Sequence, residues 1–299
     1  MTTVKYLNNE GVVSEFFSNN YQNGYAYGEN NSNVFFNGKK LYSYGTHFVL
    51  AQLLPDGTYL VNADSYSSST AKHQAYVQSY VPKNRKVEIP FSALERAGIN
   101  PDWIEIIDVE GSRLINVMRK VEGESELVPT HLMGATLFKH MGKFYLSGID
   151  ETAKNLWRGF FLTHLVGEPT SVQEAYECMK PEVVRNAEKR GEEVLRQGEY
   201  FFLDVDAEML DKLKAMEKAK DVLVKEPLQH KAHDEGRTSW EFQNSRHVVT
   251  RYVKIGDVQF AKGTCRHVAG EHRMLKLGTW KEVVENIQVK SFSSNGRVD

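Results

Sequence analysis

Ten histidines and two cysteines are the metal-ligating side chains of this 299-residue chain, and several of them gather in its C-terminal third. His230 and His233, then Cys265 and His267, then His272 supply nitrogen and sulfur donors of the type that zinc takes. Their spacing follows none of the regular zinc patterns, and the polar run Asp234-Glu235-Gly236 reads as a loop carrying His230 and His233. The expectation is that the chain holds no metal. Nucleophilic chemistry has less support. No Gly-x-Ser-x-Gly elbow occurs, and Cys178 falls off the apolar face of an amphipathic stretch. Neither Gly-x-x-x-x-Gly-Lys-Ser/Thr nor Gly-x-Gly-x-x-Gly is present to cradle a phosphate. The residues therefore predict no cofactor and no catalytic group, and a protein that binds rather than turns over.

The element that positions Cys265 and His267 is a long hairpin. Arg246–Ile255 and Val258–His267 flank Gly256-Asp257, a pair suited to a type II′ turn. A two-residue turn sets Ile255 opposite Val258, Val253 opposite Phe260 and Arg251 opposite Lys262. Carried on without interruption, this register sets His247 opposite Arg266, on the face away from Cys265 and His267. Like charges facing each other cost stability, so Arg251 and Lys262 call for a reason: an acidic partner or phosphates, or a register shift or bulge at Gly263.

Net charge is −2, with no global bias toward nucleic acid. Arg237 to Asp299 nevertheless carries 11 Lys/Arg against 6 Asp/Glu. Paired aromatics recur at Phe16-Phe17, Phe35-Phe36, Phe160-Phe161 and Tyr200-Phe201-Phe202. Neighbours on a strand point to opposite faces. The strand at Tyr200 therefore lies between two layers or shows one ring to a partner. Taken as contact residues, Tyr200, Phe202, Arg246, Arg251, Lys262 and Arg266 form the expected partner-binding set, and the surplus of paired aromatics predicts a homo-oligomer.

The remaining elements read as α+β: mainly antiparallel sheets with several short amphipathic helices, in two subdomains, residues 1–128 and 129–299. Asn37-Gly38 and Pro55-Asp56-Gly57 mark an antiparallel meander. Ala71–Tyr80 reads as a helix. Ser92 with Glu95, Ser171 with Glu174 and Thr279 with Glu282 have the capping-box pattern. Asp206 caps a helix with Met209, Leu213 and Met216 on one face. Two cysteines suit a reducing compartment. Met1 to Tyr6 show no apolar leader, and no window suits a membrane span.

Two stretches resemble uncharacterised proteins of bacteriophages and mobile elements. One is Tyr42-Ser43-Tyr44-Gly45-Thr46-His47-Phe48, with Tyr66-Ser67 and His73. The other is Arg196-Gln197-Gly198-Glu199-Tyr200-Phe201-Phe202, with Arg266-His267-Val268-Ala269-Gly270-Glu271-His272. Among such proteins the chain is similar to phage inhibitors of the bacterial Gabija defence system. That resemblance implies a non-enzymatic, oligomeric protein of the host cytoplasm that binds a nuclease–helicase complex. Its rivals are a metal-dependent enzyme acting on nucleic acid through the His/Cys group, and a nucleic-acid-binding module using the basic C-terminal segment.

Overall fold

The computed structural model describes residues 5–18, 25–28, 33–64, 67–111, 113–121, 124–132, 134–154, 159–231, 242–288 and 290–293. Antiparallel sheets and helices make it an α+β protein. Among the described residues no helix is long and apolar enough to cross a membrane. The chain divides into two units. The first is Met1–Val109 with Phe138–Gly142, and the second is Glu110–Leu137 with Lys143–Asp299.

The first unit holds a seven-stranded sheet whose strands neighbour one another in chain order, from Lys5–Leu7 to Lys86–Ile89. Its inner pairings are antiparallel, so the expected meander is present over Val34–Asn62. The turn after Val34–Asn37 is shifted by one residue from the expected Asn-Gly: Asn37 pairs with Lys40, and Gly38 at φ +55° leads the turn. Tyr59–Asn62 runs parallel to Lys86–Ile89. A parallel pair needs a long crossover, and the helix Ser68–Tyr80 supplies it, with Ser67 Oγ accepting from the Thr70 N–H. The core joins Val12 and Phe16 of helix Asn9–Phe17 to Phe36, Leu50, Tyr59 and Val77. Ser92 and Glu95 do not form a capping box. The helix there starts at Phe91 behind Pro90, and the Ser92 N–H and hydroxyl donate to Asp64 at 2.7 and 2.5 Å.

The second unit is built on an antiparallel sheet in the order Leu195–Gln197, Tyr200–Asp204, Lys281–Glu285, Val258–His267, Phe242–Ile255, Leu223–Lys231, with Leu275–Lys276 added beside Val258–His267. A second set of antiparallel strands comprises Lys143–Ile149, Phe160–His164 and Lys290–Ser293. The Thr279–Glu282 pattern caps no helix. Lys281–Glu285 is a strand, because alternate residues Lys281 and Val283 are buried between Tyr200–Asp204 and Val258–His267. The other helix signals match: Ser171 accepts from Glu174 N–H, Asp206 from Met209 N–H at 2.7 Å, and Gly191 follows the helix Glu182–Lys189 at φ +75°.

Strand Tyr200–Asp204 is buried on both faces. Tyr200 and Phe202 pack with Val249, Tyr252, Cys265 and Leu277. Phe201 and Leu203 pack with Val184 and Ala187 of helix Glu182–Lys189. The adjacent aromatics thus serve two layers. Helix Ala207–Ala219 covers another patch, with Leu213 against Val253, Phe260 and Trp280. The outer strand Leu223–Lys231 contains Lys225 at φ +59°, Pro227, and a register break between Pro227 and Gln229.

Candidate metal centre

The hairpin begins as its turn dictates. Ile255 faces Val258, Val253 faces Phe260 and Arg251 faces Lys262. Beyond that pair the register breaks: Val249 faces Cys265, so Thr250 alone opposes both Gly263 and Thr264. Gly263 takes φ +93°, and a Cβ there would lie 2.8 Å from Thr250 Cβ, so glycine is needed for both conformation and space. Thr250 Oγ1 accepts the Thr264 N–H at 3.1 Å and so ties off the bulge. One extra residue moves every later side chain to the other partner. His247 therefore faces His267 rather than Arg266, and lies on the same face as Cys265 and His267. This corrects the uninterrupted register.

The bulge assembles a cluster. His247, His267 and His272 offer ring nitrogens that all lie within 4.8 Å of one another. Ring centroids are 4.9 to 5.2 Å apart. The side chains of His247 and His267 are fully buried, and that of His272 is 13% exposed. His272 arrives on the segment after the hairpin, bridged to Ala153. Arg273 N–H donates to the Thr152 carbonyl at 3.0 Å, and Lys154 N–H to the Glu271 carbonyl at 2.6 Å. Gln197 Nε2 donates to the Arg273 and Cys265 carbonyls.

A carboxylate stands beside each imidazole. Glu199 Oε1 is 3.3 Å from His247 Nδ1, Asp150 Oδ2 is 3.7 Å from His272 Nδ1, and Glu271 Oε2 is 3.8 Å from His267 Nε2. Thr152 Oγ1 lies 3.1 Å from His272 Nδ1, donates to Asp150 Oδ1 at 2.8 Å, and accepts the Gly198 N–H at 3.2 Å. Gly198 forms the floor. It has φ +58°, and a Cβ on it would come within 3.0 Å of His272 Nε2 and 3.1 Å of His247 Nε2. Both Nε2 atoms therefore border one small space. Burial lowers the His272 pKa, opposed by Asp150 and reinforced by the other two imidazoles, so the ring is held neutral and keeps a lone pair.

The other nominated residues are placed elsewhere. Cys265 is fully buried, and burial, with the Glu199 charge adding to it, pushes its thiol up to about 12. It stays a neutral thiol in the core and does not join the three-histidine group. The His230 side chain and all of His233 lie outside the described residues. Tyr200 and Phe202 are core residues with no exposed surface. Arg251 and Lys262 lie opposite each other because one carboxylate serves both: Glu217 of helix Ala207–Ala219 is 3.6 Å from Arg251 Nε and 2.8 Å from Lys262 Nζ. The hydrogen bond from Lys262 holds the Glu217 carboxyl below its ordinary range, aided by Trp280 and Arg251. Arg266 is exposed and Arg246 partly so; both alternate away from the histidine face.

Sequence reasoning set His247 aside and did not reach Glu199, Asp150 or Thr152. The signal for His247 was Gly263 next to an otherwise repulsive pair. Nothing in local spacing ties the loop at residue 150 to one 120 residues later. In the first unit, Ser43 Oγ is hydrogen-bonded to His73 Nδ1 at 2.8 Å, and Asn9 Nδ2 lies 3.2 Å from Nε2. Both Ser43 and His73 are buried, so this pair pins helices to the sheet. No family model, curated protein or solved structure matches the chain.

Proposed function

We propose that this protein binds a divalent transition-metal ion, zinc by its donor set, through His247, His267 and His272. The observation that carries the reading is the convergence of three buried imidazole nitrogens within 4.8 Å. Zinc at about 2.0–2.1 Å from each nitrogen in tetrahedral geometry needs them about 3.3 Å apart, so small side-chain rotations close the set. Imidazole nitrogen is a donor that suits zinc. The surrounding groups fit as well. Thr152, itself bonded to Asp150, engages His272 Nδ1, Glu199 stands 3.3 Å from His247 Nδ1, and Nε2 of both rings faces the space over Gly198. A partner such as Thr152 fixes the tautomer of its ring and raises its basicity as a ligand.

Metal analysis of the purified protein tests this, with cobalt substitution to report tetrahedral coordination by its visible absorption. One equivalent of metal is expected, lost in His247→Ala and in His272→Ala. Protein that carries no metal and fails to take zinc from a weak chelator would refute the proposal. The reading as an inhibitor of a host defence complex rests on the sequence resemblance alone, and the aromatic contacts nominated for it, Tyr200 and Phe202, lie inside the fold.

A further inference from the structure

We infer that a second site, a cleft on the face of strand Tyr200–Asp204 opposite the histidines, binds a free amino acid with a small aliphatic side chain. Tyr200 packs toward His247, whereas Phe201 turns to helix Glu182–Lys189. Register builds the floor on that second face. Arg196 pairs with Phe201 and Phe201 with Val284, so the three side chains lie side by side. Asn286 follows Val284 by two residues, and its N–H donates to the Glu199 carbonyl at 2.8 Å. The Ile287 N–H donates to the Met179 carbonyl at 2.7 Å, which holds the end of helix Val172–Met179 beside the same floor. Met179, Lys180, Glu188 and Val194 join Arg196, Phe201 and Asn286 around a space of about 150 Å³. Sites for drug-sized ligands begin at about 300 Å³, so the cleft suits one small molecule.

Its polar groups leave two opposite charges over. Arg196 Nε donates to the Gly198 carbonyl at 2.9 Å, and the guanidinium carbon lies 5.9 Å from the centre of the Phe201 ring, so the group is held in place. Among the described residues its Nη groups make no hydrogen bond or ion pair. Lys180 Nζ lies 2.8 Å from both Glu177 Oε1 and Glu188 Oε2. One ammonium between two carboxylates leaves a negative charge over, and Arg196 leaves a positive one. Asn286 Oδ1 is buried and accepts no hydrogen bond among the described residues. A buried acceptor without a donor costs stability.

A zwitterion answers all three. A carboxylate takes two parallel hydrogen bonds from the Nη edge of a guanidinium. An ammonium has three donors, enough for Asn286 Oδ1 and a Glu188 oxygen. An aliphatic side chain would rest against Met179, Val194 and Phe201, the apolar part of the wall. A simple anion leaves the Glu177–Glu188 surplus and Asn286 unanswered, and a simple amine leaves Arg196 unanswered.

The test is a saturation-transfer NMR titration of the full-length protein with L-valine. Isovalerate, which lacks the ammonium, and isobutylamine, which lacks the carboxylate, are the comparison probes. Valine should bind about tenfold or more tightly than either probe, the worth of one charged hydrogen bond. Val194→Trp, which fills the cleft, should abolish valine binding. Arg196→Gln should weaken it about tenfold or more. Arg196 also holds the Gly198 turn, so Asn286→Leu is the variant that decides if Arg196→Gln fails to fold: it should weaken valine and leave isovalerate unchanged. No transfer to valine in millimolar solution overturns the inference, as does valine binding undiminished in Val194→Trp. Isovalerate binding as tightly as valine overturns the amino-acid class. None of these residues is a proposed metal ligand, so each outcome leaves the metal reading where its own test puts it.

Discussion

Replacing Gly198 with alanine separates backbone strain from ligand geometry. Gly198 has φ +58°, and an L-residue in that region costs about 1–2 kcal/mol. For a unit of this size that lowers Tm by about 3–6 °C. The added methyl would also sit 3.0 Å from His272 Nε2 and 3.1 Å from His247 Nε2. Both rings would have to retreat from the atoms that face the proposed ion. A displacement costing about 1.4 kcal/mol in the bound state weakens zinc binding tenfold. Gly191→Ala is the control. Its φ of +75° imposes similar strain, but no heavy atom lies within 4 Å of its virtual Cβ. Thermal denaturation should show both variants destabilised by comparable amounts. Competition with a chromophoric chelator should show zinc affinity reduced tenfold or more only in Gly198→Ala. Equal zinc affinity in the two variants would refute the placement of the ion over Gly198.

Three further outcomes can be checked by denaturation. Glu217→Gln should destabilise the second unit at neutral pH by removing the carboxylate shared by Arg251 and Lys262. Because the folded Glu217 pKa is depressed, its contribution is present above the unfolded carboxylate pKa and lost as pH falls through the folded value, so the gap between variant and wild type should close in acid. Gly263→Ala should cost more than Gly256→Ala in urea melts, since the former meets Thr250 Cβ at 2.8 Å and the latter meets nothing within 4 Å. Phe202→Ala should lose about 3–5 kcal/mol as a fully buried ring in close packing; a loss below about 1 kcal/mol would show that the strand is not enclosed.

Much of the local structure was legible because it rests on short-range chemistry. The Asp206 cap, the Ser171 cap and the Gly256-Asp257 turn each need only neighbouring residues. Fold class followed from the same signals. Failures came where tertiary pairing overrode a local pattern. Ser92 gave up its cap because Asp64, distant in sequence, accepted its hydrogen bonds. Glu282 was drawn into a strand because neighbouring strands flank Lys281–Glu285 on both sides, which leaves Thr279 before a strand with no helix to cap. The candidate centre was half legible. His267 and His272 stood out by type, but His247 depended on one unpaired residue at Gly263-Thr264, and Asp150 and Thr152 on contacts more than a hundred residues away. The repulsive pair Arg251–Lys262 called for an acidic partner or phosphates, or for a register shift or bulge at Gly263; the structure has the bulge just beyond the pair, and Glu217 of the chain's own helix beside both cations.

The outer strand Leu223–Lys231 has a consequence for self-association. Leu223 and Val224 are half exposed on a sheet border, the kind of border that recruits strands from other molecules. Here the border cannot present a continuous row of donors and acceptors. Lys225 turns out of extended conformation, Pro227 has no N–H, and the register slips before Gln229. The opposite border is the three-residue strand Leu195–Gln197, too short to template a growing sheet. Strand addition at either border is therefore blocked in the folded state, so any assembly of copies through this sheet must use side chains on its faces, and fibril growth from this unit requires the outer strand to be unfolded first.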